Sequence, residues 1–170
     1  NWTAGPPLAM ERQAFGLAAL GTKLYAVGGA RNNHWLVSVE VLDPAVGNWT
    51  AGPPLPTARQ GLGLAALGTK LYAVGGCIPR GDYFASAAVL DAAVGNWTDG
   101  PPLATARCHF GLVALGSKLY AVGGANGGGD LASIEVLDPA LGKWIAGPPL
   151  NTARRNFGLA ALGTKLYAVG

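Results

Sequence analysis

The arginines are the side chains of this chain best suited to binding chemistry, and four of them recur at a fixed spacing. Successive members of that set lie 47 or 48 residues apart: Arg12, Arg59, Arg107 and Arg154. A guanidinium group presents a planar fork of N–H donors that pairs with two oxygens of a carboxylate or phosphate. If the fold gathers the arginines on one side, the sequence predicts a surface that binds an acidic peptide or protein segment.

Cysteine and histidine are the other residue types here that could hold a metal or carry redox chemistry. The chain has two of each: Cys77, Cys108, His34 and His109. The CxxC and HxxxH spacings typical of metal sites are absent, and no nucleophile elbow, phosphate loop or pair of catalytic carboxylates occurs. We therefore expect no metal, no cofactor and no catalytic residue.

These side chains belong to a unit that occurs four times. Each copy starts at a tryptophan and continues through Gly-Pro-Pro-Leu, an arginine, a small apolar run and Gly-[Thr/Ser]-Lys-Leu-Tyr-Ala-Val-Gly. The tryptophans are Trp2, Trp49, Trp97 and Trp144. A fixed period of this size indicates one supersecondary unit that stacks on copies of itself. We divide the single domain, 1–170, into repeats at about 1–47, 48–95, 96–142 and a partial 143–170.

The second copy shows how one unit folds. Small residues dominate 61–67, a Gly68-Thr69 pair predicts a two-residue hairpin turn, and Lys70 begins the return strand. Residues 85–91 and the next tryptophan add two more strands. Small side chains suit the crowded inner strand of radially arranged sheets, while tryptophan and tyrosine fill the wider outer gaps. The sequence predicts an all-β protein built from four-stranded antiparallel blades.

The repeat resembles the kelch signature in several positions at once. The run Leu-Tyr-Ala-Val-Gly-Gly occurs at 24–29, 71–76 and 119–124, with an arginine about a dozen residues upstream and a Glu-Val-Leu-Asp-Pro strand downstream in two copies. The period is near that of kelch repeats, and the WD40 dipeptide Trp-Asp is absent. The resemblance implies a kelch-type β-propeller that acts as a non-catalytic protein-interaction scaffold or adaptor.

The strand count implies an incomplete ring with three full blades and a partial terminal blade. Three arrangements remain open: a segment of a longer propeller, two copies that each lend an outer strand to the other, or a four-bladed ring closed by the strand at Trp2. In the second arrangement the protein is a structural or self-assembling array. Its working surfaces are then the blade edges at Trp2 and at 166–169.

The resemblance also sorts the loops onto two faces. Loops that follow the double glycine or precede the repeated arginine share one side, here called the loop face, and the Gly-Thr-Lys hairpins share the other, the turn face. All seven arginines map to the loop face, and all five lysines map to the turn face. Against the acids Glu11, Asp82, Asp99 and Asp130, we count the loop face as near +3. The four arginines in repeat register are expected to bond neighbouring loops.

The loops after the double glycine differ between copies while the strands match, which is typical of a recognition surface on a rigid scaffold. The residues predicted to bind a partner are Arg31, His34, Trp35, Arg80, Tyr83, Phe84, His109 and Arg155. The three aromatic residues could equally cover the blade's outer strand. In kelch adaptors that capture acidic peptides, the equivalent pocket positions here are Ala14, Ala30, Arg31, Gly61, Cys77, His109, Ala125 and Asn156. Only Arg31 and His109 have the polar character that such a pocket uses.

Composition limits the partners. A net charge of +3 is too small to predict nucleic-acid binding, and the apolar runs are too short to cross a membrane. We expect a protein or acidic peptide partner, or a second copy of the chain. Two cysteines without a disulfide framework favour a cytoplasmic location, whereas the Asn-Trp-Thr sequons at Asn1, Asn48 and Asn96 leave a secreted one open.

Overall fold

A computed structural model describes residues 1–78 and 81–170. The first repeat contains β1 (Gly16–Leu20), β2 (Lys23–Val27), β3 (Ala30–Arg31), β4 (His34–Trp35), β5 (Val39–Asp43) and β6 (Asn48–Gly52). The second contains β7 (Gly63–Leu67), β8 (Lys70–Val74), β9 (Cys77–Ile78), β10 (Asp82–Tyr83), β11 (Ala87–Asp91) and β12 (Trp97–Gly100). The third contains β13 (Gly111–Leu115), β14 (Lys118–Val122), β15 (Ala125–Asn126), β16 (Gly129–Asp130), β17 (Ile134–Asp138) and β18 (Lys143–Gly147). The last contains β19 (Gly158–Leu162) and β20 (Lys165–Val169).

The strands form three complete antiparallel blades and one partial blade. The sheets run β1-β2-β5-β6, β7-β8-β11-β12 and β13-β14-β17-β18, followed by the pair β19-β20. The prediction of an all-β, kelch-type arrangement with an incomplete ring is confirmed. The loops after the double glycines, read from sequence only as variable, form the small hairpins β3-β4, β9-β10 and β15-β16. Over the described ranges, no helix is long and apolar enough to cross a membrane.

The inner strands pack blade against blade because each begins with a glycine. A Cβ added to Gly63 would lie 2.6 Å from the Cβ of Leu112, and one added to Gly16 would lie 2.5 Å from the Cβ of Leu64. Those distances are far below van der Waals contact, so only glycine fits. The prediction that small residues mark the innermost strand is confirmed by this crowding.

The double glycine joins each blade to the next. Gly75 and Gly76 have φ of 62° and 98°, a conformation that suits glycine, and the N–H of Gly76 donates to the carbonyl of Arg107 at 2.8 Å. The same bond runs from Gly29 to Arg59. It recurs from Gly124 to the arginine of the last blade. The signature glycines therefore place Arg59, Arg107 and Arg154 beside the preceding blade.

The repeated tryptophan makes a second connection between blades. The indole N–H donates to a proline carbonyl of the preceding Gly-Pro-Pro segment, from Trp97 to Pro53 at 2.8 Å and from Trp144 to Pro101 at 2.9 Å. Trp2 differs, since its side chain is fully exposed and residues 1–8 form no strand. The prediction of an outer strand at Trp2 is wrong, because the described residues supply no third strand for it to pair with. The ring is not closed by that strand.

Replacing Trp144 with phenylalanine keeps most of the buried ring but removes the N–H donor, leaving the Pro101 carbonyl without its partner. We expect the free energy of unfolding to fall by about 1 kcal/mol. Trp2→Phe is the matched control and should leave it unchanged. Urea denaturation followed by circular dichroism measures both. Equal losses in the two variants would contradict the role of the indole bond.

Candidate protein-binding face

The loop face is assembled by one short pairing in each full blade. The residue after the repeated arginine pairs with the residue after the double glycine, giving the bridges Gln13–Ala30, Gln60–Cys77 and Cys108–Ala125. The two kinds of loop predicted to share a face therefore meet there. Because the bridges are antiparallel backbone contacts, they fix the roots of all three hairpins independently of the side chains.

A chain of backbone hydrogen bonds then links these loops around the inner rim of the face. Gly61 donates to Ala14 at 2.7 Å, His109 donates to Gly61 at 2.8 Å, and Asn156 donates to His109 at 3.0 Å. All four residues have φ between 51° and 59°. The same left-handed conformation in every blade is a feature of the scaffold, and the rim differs from blade to blade only in its side chains.

The repeated arginines are structural, as the repeat register predicts. Arg107 is fully buried and donates to the carbonyls of Gly123 at 2.8 Å and Ser133 at 3.0 Å, and to the Ser133 hydroxyl. Its Nη2 also pairs with Glu135 Oε1 at 2.8 Å. Burial lowers the pKa of Arg107, and the charge of Glu135 opposes that shift. Arg12 makes the equivalent contacts with Gly28, Ser38 and Glu40.

This arrangement corrects the charge that we assigned to the loop face from sequence. Glu40 and Glu135 come from the strands β5 and β17, so the count of acids on the face omitted them. Both are buried, and they neutralise Arg12 and Arg107. Two of the seven arginines are thus unavailable to a partner, and the predicted charge of near +3 is wrong. The exposed cations of this face are fewer and more widely separated.

The second blade lacks the glutamate, since Ala88 occupies the equivalent position. Arg59 is nevertheless buried, with contacts to the Gly75 and Ser86 carbonyls at 2.9 and 3.1 Å. The ring of Phe84 lies 5.0 Å from its Cζ atom, a distance at which the aromatic face attracts the cation. Burial lowers the pKa of Arg59. Phe84 therefore covers an arginine that has no carboxylate partner.

The second blade also lacks the backbone N–H that binds the glutamate in the other two full blades. The N–H groups of Ala9 and Ala104 each donate to the local glutamate at 2.7 Å in the other two full blades. The second blade has Pro56 at that position, and proline has no N–H to leave unsatisfied. The second blade therefore surrounds Arg59 differently from the other two full blades. It lacks both the glutamate and the N–H that binds it, and the Phe84 ring covers the guanidinium instead.

The predicted binding residues of the first blade lie on its small hairpin. Arg31 and His34 are paired across β3-β4 and both are exposed. The Nδ1 atom of His34 lies 2.8 Å from the carbonyl oxygen of Asn32. Trp35 is half-buried, and its indole nitrogen is enclosed without a hydrogen-bond partner among the described residues. Arg31 and His34 are therefore the outward-facing groups of this loop.

The predicted residues of the second blade border an open cavity of about 740 Å³ between the second and third hairpins. Tyr83 and Phe84 both line it, together with Asp82 and residues 126–128. Both rings are half-buried, so neither is free of the scaffold. Arg80, also predicted to bind a partner, lies outside the described residues.

The remaining predicted residues lie on the third and fourth blades. Nε of Arg155 is 3.3 Å from Asp130 of β16, and both side chains are about half exposed, at 55% and 42%. This ion pair joins the partial blade to the third hairpin. His109 is half-buried on the inner rim. The structure thus spreads the predicted residues over neighbouring blades of one face instead of gathering them in a single pocket.

The comparison with known families agrees with this architecture. A family model described as the Kelch motif matches residues 11–56, 58–104 and 106–151. The chain belongs to the kelch-repeat family. Each kelch match begins one residue before a repeated arginine, in the same phase as the observed blades. Kelch repeats generally mediate protein–protein interaction as non-catalytic scaffolds. The search of curated proteins found no match to the chain.

One constellation on the loop face brings together cysteine and histidine side chains whose spacing along the chain had led us to expect no metal site. A sulfur from each of Cys77 and Cys108 and a ring nitrogen of His109 all lie within 4.8 Å of one another. Their spacing along the chain matches no metal motif, because the residues come from two blades. The sequence held one signal for this cluster, which is the place of each cysteine within its repeat. Cys77 follows a double glycine and Cys108 follows the next repeated arginine. Those two positions meet at every blade interface.

Proposed function

We propose that the loop face of this kelch scaffold captures an extended acidic segment of a protein partner. The observation that supports this most is the framework of the three small hairpins. Their roots are held by identical backbone pairings, yet their outward side chains differ. Variation on an otherwise repeated scaffold favours recognition over a structural role.

Arg31 supplies the cation for this binding. It is exposed, forms no ion pair with any described residue, and borders a polar cavity of about 320 Å³ with Gln13, Asn32 and Asn33. The amides add donors that complement a carboxylate held by the guanidinium fork. Glu11 also borders the cavity and repels a second carboxylate, so it restricts where the acidic side chain sits.

Tyr83 supplies an apolar contact farther along the same face. Its ring borders the larger cavity between the second and third hairpins, and a tyrosine combines a large contact area with a polar end. Such residues carry a disproportionate share of binding free energy in protein interfaces. Phe84 beside it is committed to Arg59, so we assign it the role of supporting the cavity wall.

Charge reversal at Arg31 tests this proposal. Against a panel of extended Asp- and Glu-rich peptides, we expect Arg31→Glu to weaken binding about tenfold or more, since a charge-assisted hydrogen bond contributes about 1.5–3 kcal/mol. Fluorescence anisotropy at two salt concentrations measures the affinity. Lys70→Glu makes the same charge change on an exposed residue of the turn face and should alter affinity less than about twofold. Similar losses in both variants would refute a specific loop-face site.

A second candidate function is self-association through the blade edges. β20 pairs only with β19 among the described residues, while Leu162 and Val169 are 70% and 71% exposed. An unpaired strand edge with apolar side chains is a template for another strand. A second copy that docks there would give a solution mass of twice 17.2 kDa by light scattering. Val169→Lys should abolish that species, and a mass of 17.2 kDa for the unmodified protein at every concentration would exclude it.

A further inference from the structure

We propose that Cys77, Cys108 and His109 form a binding site for a thiophilic divalent cation, zinc in particular, at the interface between the second and third blades. This site is independent of the partner-binding function proposed above. Thiolate and imidazole are the ligands that Zn²⁺ takes in proteins, at about 2.3 Å for sulfur and 2.0–2.1 Å for nitrogen. Ligand atoms within 4.8 Å of one another need only small side-chain rotations to reach one such ion.

The backbone holds all three residues in place across the interface. A backbone hydrogen bond of 2.8 Å joins Gly76 to Arg107. These residues directly precede Cys77 in one blade and Cys108 in the next. His109 is fixed by its own N–H bond to Gly61, also at 2.8 Å. These bonds belong to the scaffold and recur in other blades, so the ligand geometry is established without an ion. Such preorganisation favours binding.

Comparison with the other interfaces shows that the repeat itself does not require these ligands. At the interface of the first two blades, the three equivalent positions are Ala30, Gln60 and Gly61. At the last interface they are Ala125, Arg155 and Asn156. Three metal-binding residues therefore coincide at one interface, and the equivalent positions of the other two interfaces carry neither cysteine nor histidine. Scaffold packing alone does not explain that coincidence.

The surroundings suit a cation held by two sulfurs. Both cysteines are buried, which shields the ion from competing water, while the half-buried His109 leaves one side accessible. The imidazole lies over Gly61, where a Cβ would come within 2.9 Å of the ring.

Three ligands leave a tetrahedral ion with one open position. The described residues place no fourth Cys, His, Asp or Glu atom in this cluster. Zinc with three protein ligands normally completes its shell with water. We assign no reaction to that water. A bound ion would also tie the second blade to the third through side chains of both.

Cobalt titration of the reduced, metal-free protein tests the site. We expect one Co²⁺ per chain, with visible d–d absorption and a near-ultraviolet thiolate-to-cobalt charge-transfer band, both lost when Zn²⁺ displaces the cobalt. Intact-mass measurement of the protein purified without reductant distinguishes the other chemistry. A Cys77–Cys108 disulfide with no metal uptake after reduction would overturn the proposal.

The repeat supplies variants that should preserve the fold. Cys77→Ala and Cys108→Gln introduce residues that other blades already carry at the same positions, and each should abolish the charge-transfer band. His109→Asn, which copies Asn156 in the same way, should weaken Co²⁺ binding at least tenfold. His34→Ala removes the exposed histidine of the same face and should bind Co²⁺ like the unmodified chain. Unchanged cobalt spectra in all three cluster variants would refute the assignment.

Discussion

Replacing Arg107 with alanine should lower the free energy of unfolding by about 3–5 kcal/mol, because it leaves Glu135 buried without its partner. The side chain is fully buried, and its removal also frees the Gly123 and Ser133 carbonyls. Urea denaturation at neutral pH measures the change. No surface substitution in this chain is expected to approach that loss.

Arg154→Ala is the matched control, since it changes the same position of the repeat in the partial blade. Arg154 is only partly buried and donates to the carbonyls of Gly170, at 2.8 Å, and of Thr152. It has no carboxylate partner among the described residues. We expect a loss below about 1 kcal/mol. Equal losses at the two positions would contradict the structural role assigned to the buried arginines.

Gly75→Ala should produce the other large effect, a loss of about 2–5 kcal/mol in the free energy of unfolding. The left-handed conformation itself costs alanine about 1–2 kcal/mol, and overpacking adds about 1–3 kcal/mol. The added Cβ would lie 2.6 Å from the carbonyl oxygen of Arg107. That oxygen also accepts the hydrogen bond from Gly76, so the backbone cannot withdraw without breaking a contact between blades.

Gly68→Ala separates the two contributions. Gly68 has φ of 60°, against 62° for Gly75, but no atom lies within 4 Å of its added Cβ. We expect only the conformational cost of about 1–2 kcal/mol at Gly68. A matching loss at Gly75 would mean that the close approach of neighbouring blades is wrong. Thermal denaturation and urea denaturation should rank the two variants alike.

Local sequence patterns predicted the strands and turns of each blade, because a few neighbouring residues determine the conformation of each one. The Gly68-Thr69 pair predicted a two-residue turn, and Leu67 and Lys70 pair directly across it. Residues 85–91 were read as the third strand, which forms over Ala87–Asp91. The strand order within a blade followed from the chain order, which runs from the strand after the repeated arginine to the strand that carries the tryptophan. In each case a short segment determines its own conformation, and the period repeats it.

Sequence reasoning could not predict contacts between segments that lie far apart along the chain. The charge of the loop face was misjudged because Glu40 lies 28 residues from Arg12 and reaches it only after β5 has paired with β2. Cys77 and Cys108 meet because a backbone bond aligns two blades. The strand expected at Trp2 failed for the same reason, since a strand needs a neighbour to accept its hydrogen bonds.

The sequence predicted candidate binding residues that share one face, but it did not predict which of them lie close together. Arg31 and His34 are exposed, as a binding role needs, but Phe84 is engaged with Arg59 inside the blade. The repeat register separates the structural arginines from the loop arginines, and the buried side chains of Arg12, Arg59 and Arg107 agree with that division. Sequence position gave the correct expectation for the buried set. The three-dimensional arrangement was required to show which cations remain for a partner.

The most direct test of peptide capture by the loop face is to map an acidic peptide onto the protein by amide chemical-shift perturbation. We predict that shifts concentrate at 30–35, 82–84 and 126–130, with Arg31→Glu removing the first of these groups. The Lys-bearing hairpins around Gly68 and Gly116 should stay unperturbed. Perturbations centred on those turns, or along β20, would contradict recognition by the loop face.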